Sequence, residues 1–126
     1  MNDWIEFTGL NVPSSKNSKI WTGKILIKSK LCQRYIKWAE PLFKANKPLW
    51  ESQMQKVEQL PIKVEYYFYR DSKRHWDLIN ILQIIADIMQ AEGYLENDDT
   101  AHFIPYYAGE EVVKKDKAGF KMRIIE

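Results

Sequence analysis

Apolar and polar positions alternate from Ile62 to Tyr69. Ile62, Val64, Tyr66 and Phe68 fall on one side, and Lys63, Glu65, Tyr67 and Tyr69 on the other. A period of two belongs to a strand with one buried face, so this segment predicts the clearest strand of the chain. The pattern changes between Asp77 and Ala91, where Leu, Ile, Met and Ala fill most positions. At about 100° per residue, Asp77, Asn80, Gln83, Asp87 and Gln90 lie within one arc of a helix, with Gly93 placed to end it. A polar stripe along so apolar a helix is costly if it touches nothing.

The remaining elements are read the same way. Asp3 to Leu10 predicts a strand, and Pro13-Ser14-Ser15-Lys16-Asn17 a loop. Ile20-Trp21 and Lys24 to Lys28 flank Thr22-Gly23 as a hairpin. Ser29 is placed to cap a helix running to about Lys44, which Pro41 should kink or end. Pro48 would open a second helical piece from Leu49 to Gln59. Ala101 to Tyr107 and Gly119 to Ile125 read as the last strands. The sum is an α+β fold: a small mixed β-sheet packed against two main helices, with residues 1–126 as a single domain and no repeat or linker.

Composition narrows the class. At 45% apolar and 29% charged residues, the 126-residue chain is ordinary for a globular protein with one real core. No apolar run approaches the roughly 20 residues of a membrane helix. Met1-Asn2-Asp3-Trp4 lacks the basic start of a secretory signal. The one cysteine, Cys32, excludes a disulfide scaffold and a cysteine-based zinc site, and a reducing cytoplasm is the default. It reads as packing, and Trp21, Trp38 and Trp50 as core or dimer surface.

The net charge of +2 conceals an asymmetry. Between Pro13 and Ala39 stand seven basic residues and no acid, while the remainder carries 12 basic and 17 acidic residues. A second basic group, Arg70, Lys73 and Arg74, precedes Asp77. Basic segments flanking carboxylates suit an enzyme acting on a polyanion: cations neutralise phosphates while the acids hold a metal. A solvated lysine-rich surface is the plainer alternative.

Geometry limits which acids can share an ion. Asp77 and Asn80 occupy adjacent turns of one face. Asp87 lies about 15 Å along the axis from Asp77, too far for a shared ion. It reads as a structural acid, bonding a buried backbone group or a basic side chain. Asp98 and Asp99 follow the turn at Gly93, and adjacent side chains of an extended segment point to opposite faces. One of the two should therefore face the site, and the spacing does not say which.

At these residues the chain resembles the RusA-type Holliday junction resolvases. The likeness rests on Asp77-x-x-Asn80, the helical Asp87, the turn at Gly93, the pair Asp98-Asp99, the proline- and asparagine-containing loop Pro13 to Asn17, and a strand ending in basic residues. It covers most of the chain, and its specific part runs from Arg70 to Asp99. The resemblance implies a small dimeric Mg²⁺- or Mn²⁺-dependent endonuclease of phage or prophage type, acting on branched DNA in a bacterial cytoplasm, with no membrane partner. It implies Asp77 and Asp99 as metal ligands, Asp98 and Asn80 beside them, and Gln83 orienting water or phosphate. Lys16, Asn17, Lys19, Lys28, Arg70, Lys73 and Arg74 would contact DNA, with His75 an alternative base or phosphate contact. A four-way junction needs two nicks, so one acidic site per chain implies a C₂ homodimer.

Three positions depart from the family pattern. Ile79 stands where a second Asp is usual, Gln83 where a Lys is usual, and the paired Asp arrives one residue late after Gly93. A missing carboxylate removes a ligand or base, and a missing Lys a cation that would stabilise phosphate charge. A rebuilt site on the Asn80 and Gln83 stripe is the first expectation. A weakened or inactive DNA-binding protein of the same fold is the alternative, and a small interaction protein with an acidic loop is a third reading. Ile79 is expected to border the apolar face, so that an Asp there would be buried at a cost of several kcal/mol.

Overall fold

The computed structural model describes residues 1–13, 19–21, 26–28 and 30–126, and side chains are described for 1–13 and 30–126. Lys16 and Asn17, the side chains of Lys19 and Lys28, and the cap expected at Ser29 lie outside the described residues.

The alternating segment forms a strand, β4 (Ile62–Arg70), preceded in the chain by β1 (Ile5–Thr8), β2 (Lys19–Trp21) and β3 (Leu26–Lys28). The first helix is α1 (Lys30–Met54). Then follow α2 (Leu78–Ala91), β5 (Phe103–Val112), a single 3₁₀ turn at Lys115–Lys117, and β6 (Gly119–Ile124). Strands β2 and β3 pair as the expected antiparallel hairpin. The main sheet has the order β1-β6-β4-β5. β6 runs antiparallel to both β1 and β4, whereas β4 and β5 are parallel. A parallel pair requires a crossover, and α2 provides it. The expected mixed sheet and two helices are therefore present.

Register explains the layering. Tyr66 pairs with Met122 and Met122 with Ile5; Phe68 pairs with Phe120 and Phe120 with Phe7. These rows are all buried and join one cluster with Cys32, Tyr35, Ala39, Phe43 and Trp50 of α1 and Ile81, Ile84, Ile85, Ile88 and Met89 of α2. Phe7 stacks on Phe120 with ring centroids 4.9 Å apart. At the other end, the Trp50 indole donates to the Tyr94 carbonyl. Gly119 opens β6 at a φ of 144°, and a Cβ there would meet the Phe7 carbonyl oxygen at 2.2 Å, so only glycine lets β1 approach. Among the described residues no helix is long and apolar enough to cross a membrane.

One expected boundary is overturned. Pro41 and Pro48 neither end nor divide α1, which runs unbroken through both. Each proline removes one backbone hydrogen bond and crowds the carbonyl four residues back, at a cost of about 3 kcal/mol. Both lie on the exposed side of α1, seven residues apart, so the carbonyls they orphan can reach water. On the opposite side the buried residues Tyr35, Ala39, Phe43 and Trp50 continue past both prolines. That uninterrupted burial, at roughly 1.5–3 kcal/mol for each large side chain, outweighs the local penalty.

Candidate metal and nucleic-acid site

The start of α2 is fixed by Asp77. It takes an extended conformation as the N-cap, and its carboxylate accepts from the Asn80 backbone N–H at 3.0 Å. This is the usual role of an Asp before a helix, and the helix dipole favours its charge. Past the last turn, Gly93 N–H donates to Gln90 and Tyr94 N–H to Met89, with Gly93 at a φ of 77°. That pair of bonds is a Schellman motif, which turns the chain back toward the sheet.

The returning chain brings Asp98 to a groove between α2 and β5. Ile79, Leu82, Gln83, Ala86, Asp98, Phe103 and Pro105 line this cleft of about 300 Å³. Of the two acids left open by the sequence, Asp98 faces the cleft. Asp99 turns to the loop: its Oδ1 lies 2.7 Å from His102 Nδ1 and accepts from the Ala101 N–H at 3.0 Å. The hydrogen bond from His102 holds the Asp99 carboxyl below its usual range, and the same bond raises the His102 pKa.

Other expected residues fall as follows. Gln83 is exposed, lines the cleft, and donates to Asp87 Oδ1 at 2.9 Å. Among the described residues Asp87 thus accepts from a glutamine amide on its own helix, where a buried backbone or basic group was expected. Asn80 is half-buried in the first turn. Ile79 is 79% exposed at the cleft wall, so the expectation that it borders the apolar face is corrected. It is the second residue of α2 and lines the mouth of the cleft without being covered. Arg70 is corrected too. It is 6% exposed, donates to the Val12 carbonyl at 2.9 Å, and holds its guanidinium 5.0 Å from the centre of the Trp76 ring. Its alternation with Ile62 to Phe68 puts it on the buried row, so its guanidinium packs under Trp76 and supports the wall of the site in place of the exposed position expected.

Lys73, Arg74 and His75 are exposed and line a second cleft, of about 310 Å³, with Trp76, Leu78, Tyr107 and Glu110. This cleft lies where β4 and β5 end together beside the N-terminus of α2, the usual ligand position beside parallel strands. Sequence reasoning missed Tyr107 and Glu110, because only the parallel pairing of β5 with β4 carries them there. A third cleft, of about 520 Å³, lies between the chain ends and contains Asn2, Lys56 and Glu126, none of them a candidate residue.

Among the described residues no group of three or more His, Cys, Asp or Glu stands close enough to hold a metal ion. The acidic cleft offers one carboxylate, Asp98, and the amide of Gln83. These are hard oxygen donors of the kind Mg²⁺ takes, and Mg²⁺ is commonly bound by one or two carboxylates together with substrate phosphates. The donor set fits an ion that arrives with its phosphate better than one caged by protein alone. No protein-family model and no curated protein matches this chain.

Proposed function

We propose that this protein is a metal-dependent endonuclease of the RusA type that cuts branched DNA. The observation that carries the reading is the cleft uniting Gln83 and Asp98, with the Asp77 cap at the head of the same helix and the basic loop Lys73 to His75 beside it. Lys73 and Arg74 stand three or four residues before Asp77 in the chain, and both clefts take lining residues from α2 and β5, an arrangement suited to holding the backbone that flanks a reacting phosphate.

In this reading Asp98 is the principal ligand for Mg²⁺ or Mn²⁺. Asp77 caps the helix that carries Gln83, and Asp99, tied to His102 and the Ala101 N–H, holds the loop from which Asp98 enters the cleft. A bound divalent ion supplies Lewis-acid polarisation of the phosphate and a water of lowered pKa. Gln83 presents its amide oxygen to water or phosphate, its nitrogen being held by Asp87. Lys73 and Arg74 bind neighbouring phosphates. Two nicks in a two-fold junction call for a C₂ homodimer, and a bacterial cytoplasm is the compartment the resemblance implies.

A second reading, a DNA-binding protein with little activity, is favoured by one observation: the wall where the resemblance expects a second carboxylate carries the exposed Ile79. A labelled four-way junction incubated with and without Mg²⁺ or Mn²⁺ separates the two on a denaturing gel. Metal-dependent nicks that disappear in Asp98→Asn support the enzyme. Binding without nicks, at any metal concentration, supports the second reading and sinks the first.

A further inference from the structure

One carboxylate organises the basic cleft. Glu110 Oε2 accepts from the Trp76 indole N–H at 2.9 Å, and Oε1 accepts from the Tyr107 hydroxyl at 2.7 Å. These bonds hold the Glu110 carboxyl below its usual range. The two rings, centroids 6.4 Å apart, are thereby fixed relative to each other. Phe68 packs against both, at 4.9 Å from Trp76 and 6.2 Å from Tyr107, and the Arg70 guanidinium lies over Trp76. Tyr107 is nonetheless 47% exposed. Its ring is rigidly mounted and open, on a cleft whose remaining side chains include Lys73, Arg74 and His75.

Each part has a matching ligand group. A fixed, open aromatic ring offers a stacking platform for a planar heterocycle, which gains from stacking on a side chain when it has no neighbouring base. Exposed cations a few residues away suit a phosphate. Glu110 stays ionised, and the nearby Arg70 guanidinium together with the exposed Lys73 and Arg74 oppose its charge, leaving the cleft with more cations than anions. We infer that this cleft takes one unstacked nucleotide, with its base against Tyr107 and Trp76 and its phosphate on Lys73 and Arg74. The inference deepens and rests on the branched-DNA reading: at a branch point bases lose stacking partners, whereas in continuous duplex they keep them. The nucleotide is then part of the substrate strand. A free mononucleotide would share the chemistry.

The test uses a four-way junction with 2-aminopurine at the branch point, whose fluorescence responds to stacking, and a continuous duplex of equal length. Wild-type protein should change the junction signal on binding. Tyr107→Ala should remove that change and weaken junction binding roughly tenfold, with a clearly smaller loss on duplex. Glu110→Gln, which keeps both rings but loses one of two acceptors, should fall between. Thermal melting establishes that both variants fold. If both bind junction and duplex as wild type does, with the 2-aminopurine signal unchanged, the inference is overturned. If wild-type protein binds no junction at all, the endonuclease reading fails separately. Titration with deoxyadenosine monophosphate, followed by tryptophan fluorescence, then decides: saturable binding lost in Tyr107→Ala upholds the nucleotide cleft, and no saturable change overturns it.

Discussion

Replacing Ile79 by Asp tests whether the cleft at Asp98 is a metal site. Ile79 is 79% exposed, so about a fifth of the 1.5–3 kcal/mol that full burial of an isoleucine would contribute is at stake, roughly 0.3–0.6 kcal/mol. An acid in the first turn of a helix returns about 0.3–1 kcal/mol through the dipole. The two terms nearly cancel, and the melting temperature should move by less than about 3 °C. The gain lies in the cleft, where the new carboxylate would share a wall with Asp98 and Gln83. With water-like screening, unit charges 4 Å apart attract by about 1 kcal/mol, so a doubly charged ion gains about 2 kcal/mol. That corresponds to Mn²⁺ binding tighter by roughly ten- to thirty-fold. Isothermal titration with Mn²⁺ measures it, and Asp98→Asn in the same background should erase it. A variant that melts with wild type and binds Mn²⁺ no more tightly would refute the convergence of positions 79 and 98 on one ion. A drop of more than about 5 °C would refute the exposed placement of Ile79.

The double variant Ile79→Asp with Gln83→Lys should nick junctions faster than wild type on a denaturing gel, because it adds a ligand and a phosphate-stabilising cation without net charge; no gain would leave the wild-type stripe as a working site. Asp77→Asn keeps a good helix cap and should melt like wild type while losing nicking, whereas Asp77→Ala should also cost about 1 kcal/mol by thermal melting. Lys73→Ala and Arg74→Ala should each lower the salt slope of junction binding by about one, while Arg70→Ala should leave the slope alone and destabilise the fold, since it empties a buried position bonded to Val12. His102 should titrate above its ordinary 6.5 by NMR, and the value should fall in Asp99→Asn, which loses the carboxylate charge that raises it. The pair's contribution from His102 is full below the unfolded value and lost as pH rises through the raised folded one. Its contribution from Asp99 is present above the unfolded carboxylate value and lost as pH falls through the lowered one.

Local pattern determined the elements whose burial is simple. β4 and α2 were legible because one buries alternate residues and the other a helical face, and each periodicity survives folding unchanged. The Asp77 cap and the Gly93 turn follow from backbone groups that must be satisfied at helix ends, a requirement local to a few residues. What escaped the sequence depended on the other layers. The prolines of α1 stay inside the helix because tertiary burial on its far side exceeds a local penalty. Arg70 reads as a surface cation from its neighbours Lys73 and Arg74, yet its even register on β4 turns it under Trp76. Asp98 and Asp99 are indistinguishable in sequence, and only the returning chain aims one at Gln83 and ties the other to His102. Tyr107 and Glu110 carry no motif. They meet the basic loop because β5 pairs parallel to β4, and strand pairing is a long-range choice that no local periodicity encodes.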